Sequence, residues 1–203
     1  MLILSIDIGI HHLGLTMSGL NDDYTFSDVQ WFDLIDITIF KHKNVSVEEC
    51  KLEHTKTYTD WINHLIQENK EIFDRADIIL IERQPPNGFN AIEQLIFSAY
   101  REKSQLIHPR NVHTYLGIGS FDYEKRKEQT VKTSMKYLNE EMKKHLENME
   151  RSHDIGDSIC MTLFWAEKKN KEWKYKKNKE ASEHEFKDVF KMLESYRYIK
   201  KKK

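Results

Sequence analysis

Two runs, LILSID (residues 2–7) and ADIILIE (76–82), constrain this chain more than any other feature. Each is largely apolar, ends on a carboxylate and is followed by a turn containing Gly or Pro, which is the pattern of a buried strand carrying its acid at the strand end. Around them, HHLGLTMSGL follows a tight IGI, and VQWFDLIDITIF (29–40) alternates well enough for a third strand, so the N-terminal part reads as a three-strand meander. Residues 55–74 place Trp61, Ile62, Leu65 and Ile66 at the spacing of an amphipathic helix. Pro85, Pro86 and Gly88 break the chain, and residues 89–103 are helical. LIHPRNVHTYL holds a short strand around Val112–Leu116, and a long charged helix runs from Asp122 to about residue 148. Ser152 is placed to cap a helix carrying HDIGDSICMTLFWAEKK, and a last helix covers about 182–197 after a lysine-rich link. Strands and helices in this order predict an α/β domain with a mixed sheet flanked by helices.

With 203 residues the chain can bury a substantial core, and seven Gly and three Pro disfavour long linkers. No apolar stretch reaches the roughly 18 residues of a membrane span, and LILSIDI opens without a basic or transit-like segment ahead of it. No membrane association and a cytoplasmic location are therefore expected. Cys50 and Cys160 lie far apart, with Cys160 inside the apolar run ICMTLFWA, so reduced thiols are expected. The net charge of −1 hides an asymmetry. Residues 168–203 carry 14 Lys/Arg against 6 Asp/Glu, whereas residues 1–167 carry 18 against 27. The division expected is a body over 1–167 and a basic extension over 168–203, whose terminal lysines read most simply as solvated.

Asp154 and Asp157 stand three apart at the start of a helix, on one face. Taken alone, they fit acids stabilised by the positive end of the helix dipole. Asp7 alone fits a turn residue, and Glu82 alone fits an ion pair with Arg83. Together they point to one cluster, because strand ends are where α/β sheets hold their sites. Clustered carboxylates repel one another, and hard divalent ions relieve that repulsion. Oxygen-only donors favour Mg²⁺ or Mn²⁺ over zinc.

SIDIGIHHLGLTM, ILIERQPP, KRKEQTVK and HDIGDSICM occur in the order and approximate spacing of the RuvC-like Holliday junction resolvases. The chain most resembles the branch of poxviruses and other large DNA viruses, over residues 3 to about 161. The resemblance implies a ribonuclease H-like fold and a homodimer that cuts four-way DNA junctions by paired, symmetric nicks with Mg²⁺, two ions per site and no nucleotide cofactor. It assigns Asp7, Glu82, Asp154 and Asp157 as metal ligands and maps the family's helical lysine onto Lys127, with Lys125 and Arg126 as rivals. A viral origin would put the site of action at cytoplasmic replication sites. The loop RQPPNGF departs from the bacterial form, and Ser158 stands where the family has another small residue.

Further DNA contacts are expected from Phe89, placed to stack on an unpaired base or to be buried in a core or dimer interface, and from Arg83, Gln84 and Arg110 as phosphate ligands. The helix 89–103 is the expected dimer surface. His11 and His12, as strand neighbours, would face opposite ways and cannot share an ion. His153 fits either a water-orienting role or packing. KKNKEWKYKKNK suits a nucleic-acid backbone or an exposed connection. Two other readings compete: a junction-binding scaffold without catalysis, and a phosphotransferase of the actin-like superfamily suggested by DIGIHHLG, for which the chain is short.

Overall fold

The computed structural model of the protein describes residues 1–38 and 57–200, with side chains up to residue 181. Five strands form one sheet in the order β3-β2-β1-β4-β5. Strands β1 (Leu2–Asp7), β2 (Leu13–Leu20) and β3 (Phe26–Ile35) are the expected antiparallel meander. Strand β4 (Ile78–Glu82) joins β1 in parallel, and β5 (Ser104–Ile107) joins β4 in parallel. A parallel neighbour requires a crossover, and helices supply each one. Helices α1 (Tyr58–Glu68) and α2 (Lys70–Arg75) lead into β4, and α3 (Asn90–Ala99) leads into β5.

Residue alternation along the strands divides the core into two layers. Leu4, Ile6, Ile79 and Ile81 point toward α1–α3, where Ile62, Leu65, Phe73, Ile92 and Ile96 meet them. Ile3 and Leu80 point to the other face, against α4 (Pro109–Tyr115) and the long helix α7 (Ser152–Lys200). On that face the strands carry small polar residues where α7 crosses: Ser5 Oγ lies 2.6 Å from Thr162 Oγ1, and Thr16 bonds to Ser158. These four hydroxyls satisfy one another in a buried layer, which permits close helix–sheet approach, while Ser18 Oγ on the same face has no hydrogen-bond partner among the described residues.

Several elements differ from expectation for identifiable reasons. The third strand lies earlier than predicted, at Phe26–Ile35, and positions 39 and 40 fall outside the described residues, as do Cys50 and the first two residues of the predicted helix 55–74. That helix is two: Asn69 ends α1, its side chain bonded to the Leu65 carbonyl at 2.9 Å, and begins α2. The predicted strand at Val112–Leu116 is helix α4, because Pro109 at the first helical position is preset for a helix and His108 caps it. The fifth strand lies eight residues earlier, at Ser104–Ile107.

The charged helix from Asp122 divides into α5 (Tyr123–Ser134), a 3₁₀ turn and α6 (Glu140–Glu147). Asn139 restarts it, accepting from the Met142 amide at 2.9 Å. No lysine-rich link precedes a separate last helix; α7 continues unbroken to Lys200. Among the described residues, no helix is long and apolar enough to cross a membrane.

Candidate active site

The parallel register pairs Ile6 with Ile81, so the next residues, Asp7 and Glu82, leave the sheet side by side at the same end. The antiparallel register places Gly14 opposite Asp7. A β-carbon at position 14 would stand 2.7 Å from the Asp154 carbonyl oxygen and 3.5 Å from Asp7 Cβ. Only glycine lets the first turn of α7 come down onto the strand ends, and this contact brings Asp154 and Asp157 to Asp7. Gly156 performs the same task on the other side of the helix, where a β-carbon would be 3.0 Å from the Val131 amide nitrogen of α5. Lys127 is thereby held at the same cavity.

That cavity, of about 270 Å³, is lined by Asp7, Glu82, Asp154 and Asp157, with Lys127, Arg126 and Arg151 among its basic groups. Asp7 is held well above the usual carboxylate range, first by burial and then by Glu82, Asp157 and Asp154. Burial also raises Glu82, although hydrogen bonds from Asp7, Gln84 and the Ile8 amide oppose the shift. Burial pushes Asp157 up to about 7 against a hydrogen bond from Thr130, with Glu82 and Asp154 adding repulsion and Lys127 opposing it. The cluster therefore carries an unmet demand for positive charge.

Asp154 meets that demand with a neighbour. Arg151 Nε donates to its Oδ2 at 2.8 Å and Nη2 to its Oδ1 at 3.2 Å. His153 Nε2 lies 3.0 Å from the same Oδ1, yet this buried nitrogen makes no hydrogen bond among the described residues. As the side chains stand, no three His, Cys, Asp or Glu among the described residues enclose a metal position. The donor chemistry nonetheless fits a hard divalent cation: four carboxylates on one cavity, three of them raised. With both Asp154 oxygens on Arg151, a complete ligand set requires that side chain to turn.

Of the three helical cations, Lys127 and Arg126 line the cavity and Lys125 does not; Lys125 lies on the exposed face, 3.4 Å from Asp122. The Lys127 ammonium sits 4.0 Å from the centre of the Tyr123 ring, a cation–π contact that restrains a flexible side chain. Arg126 Nη1 donates to the Phe121 carbonyl at 2.6 Å. Arg83 and Arg110 are exposed. Phe89, at 39% exposure, stands at the start of α3 outside the core. Gln84 is not turned outward toward a phosphate: its side-chain amide donates to Glu82 at 2.7 Å.

His11 and His12 sit in the turn before β2, not on a strand, and His11 contacts Asp36 at 3.1 Å. Cys160 is buried and unpaired, its thiol pushed up by burial. The site residues that sequence reasoning missed are Arg151, His113 and Tyr123. Arg151 precedes Asp154 by three positions, a helical pairing distance that is legible in SHD and its neighbours; His113 and Tyr123 reach the cavity through tertiary packing alone.

Similarity to known proteins follows this geometry. Fowlpox virus resolvase, solved in complex with Holliday junction DNA, superposes with a TM-score of 0.58 at 17% identity, over 83% of this chain and 98% of that one. The yeast mitochondrial Holliday junction resolvase gives 0.61 at 18%, over 87% and 83%, and Thermus thermophilus RuvC gives 0.51 at 16%, over 81% and 92%. The fold is thus ribonuclease H-like, as in the RuvC-type resolvases. No curated protein sequence matches the chain. The family described as "Poxvirus A22 protein" matches residues 1–169, and the chain belongs to that family.

Proposed function

We propose that this protein is a structure-selective endonuclease that resolves four-way junctions and other branched DNA, acting as a homodimer with Mg²⁺, or Mn²⁺ in its place. The observation that carries the reading is the convergence of Asp7, Glu82, Asp154 and Asp157 on one cavity beside Lys127. Asp7, Glu82, Asp154 and Asp157 would hold two metal ions, which when bound supply Lewis acidity and an activated water. Water adds to phosphorus and the P–O3′ bond breaks, leaving 5′-phosphate and 3′-hydroxyl ends; the leaving oxygen takes up a proton.

The chain's own groups prepare this step. Asp7 and Glu82 stand half-buried at the strand ends, and their demand for positive charge disfavours ionisation without a cation. Lys127, braced on Tyr123, offers its ammonium to a phosphate oxygen as negative charge develops. Arg126 on the cavity wall and Lys125, Arg83 and Arg110 on the outer surface contact backbone phosphates, and Phe89 stacks on an unpaired base at the junction centre. A homodimer brings two such cavities to opposite strands, matching its two-fold axis to the junction's pseudo-symmetry.

The test is incubation of the purified protein with a synthetic four-way junction and with linear duplex, each with and without Mg²⁺. Paired, symmetric nicks in the junction alone, only with Mg²⁺, are expected, and Asp7→Asn should bind the junction without cutting it. Equal cutting of both substrates, or undiminished nicking by Asp7→Asn, would remove the reading.

A further inference from the structure

The turn between β4 and α3 is built around one side chain. Gln84 Nε2 donates to Glu82 Oε2 at 2.7 Å, and its Oε1 accepts from the Phe89 amide at 3.2 Å. Only the NH₂ of an amide donates to a carboxylate, and only its oxygen accepts from a backbone N–H. Both ends therefore dictate the same orientation of the Gln84 amide.

Its backbone is anchored as well. The Gln84 amide nitrogen donates at 2.6 Å to Oε2 of Glu93, a carboxylate only 2% exposed in the first turn of α3. Oε1 of Glu93 accepts from Gln94 Nε2 at 2.7 Å. The loop closes over this arrangement: a β-carbon at Gly88 would lie 2.8 Å from Gln84 Oε1 and 2.8 Å from Pro85 Cδ. Asn90 Nδ2 ties down the Pro85 and Pro86 carbonyls at 2.8 and 3.1 Å.

We infer that Gln84 is a positioning residue for Glu82, held in register by the buried Glu93, and that it ties the exposed Phe89 rim to the metal-ligand carboxylate. The inference rests on the proposed role of Glu82 as a ligand. A carboxylate with one oxygen on a fixed donor loses the freedom to turn away from a cation, and outer partners of this kind typically matter by about 10–100-fold in metal affinity or activity. Glu93 needs no catalytic role to be buried here, because holding the Gln84 backbone accounts for it.

The test uses the full chain carrying Gln84→Ala, with Gln84→Met as the volume-keeping variant should the alanine form not fold. Mn²⁺ binding is measured calorimetrically without DNA, and junction cleavage is resolved into kcat and KM. The expected result is Mn²⁺ affinity weakened about 10-fold or more and a fall in kcat, with KM for the junction changed less than about twofold. A folded variant that binds Mn²⁺ and turns over like the parent overturns the inference, as does a change confined to KM. A parent that binds Mn²⁺ but does not cut refutes the nuclease reading while the Mn²⁺ comparison still decides the role of Gln84. A parent that binds no Mn²⁺ refutes both.

Discussion

Gly14 is the residue on which the site's geometry turns, because the Asp154 carbonyl occupies the space a side chain there would need. Gly14→Ala is expected to push the first turn of α7 off the strand ends. The expected destabilisation is about 1–3 kcal/mol, with loss of junction cutting, measured by denaturant unfolding and cleavage assay; unchanged values for both would refute the close-approach argument. Asp157 makes a second prediction. Its carboxyl ionises near 7 in the folded chain, against an ordinary 3.8. Between those values the folded state holds a proton that the unfolded state has released, so this group's contribution declines as pH rises and is fully lost above about 7. Burial lowers His113 and His153, which act oppositely below their ordinary 6.5, so the comparison must be differential. In EDTA, Asp157→Asn should gain thermal stability over the parent at pH 8 and gain much less at pH 5. Equal shifts at the two pH values in scanning fluorimetry would contradict the assignment.

At the scale of elements, α7 and α5 do most of the placing. Asp154, Ser158 and Thr162 recur every fourth residue and meet Gly14, Thr16 and Ser5 in turn, so a stripe of small and polar side chains sets the depth of the helix. The close crossing at Gly156 then fixes α5, and with it which of three consecutive cations reaches the cavity. Lys127→Ala is expected to lower turnover by about 10²-fold with little change in junction affinity. A loss confined to affinity in single-turnover and gel-shift measurements would reduce it to a backbone contact. The capping signal of α5 is local and was legible in Asp122, whereas Ser152, expected as the cap of α7, is already its first helical residue. The misreading of α4 as a strand shows the limit, since Val112, Tyr115 and Leu116 suit a strand by composition while Pro109 and His108 decide otherwise through backbone geometry.

For the whole molecule, the family match covers residues 1–169, while α7 runs on to Lys200. The helix 89–103 expected as a dimer surface is shorter, α3 ending at Ala99, and spends Ile92 and Ile96 on the core, with Leu95 and Phe97 half-buried against it. If two copies coordinate paired cuts, sedimentation at working concentration should give a mass of two chains, and a monomer alone would refute the paired-nick mechanism. Sequence alone determined the meander, the buried strand β4, the carboxylates at the strand ends and the acidic start of α7, because apolar periodicity, turn residues and caps act over a few positions. Tertiary structure decided the parallel register that seats Asp7 beside Glu82, the Arg151 clasp on Asp154, the inward turn of Gln84 and the placing of Lys127 and Arg126, but not Lys125, on the cavity wall. Those depend on which segments, distant along the chain, approach within a few ångströms, and short-range pattern carries no information about that approach.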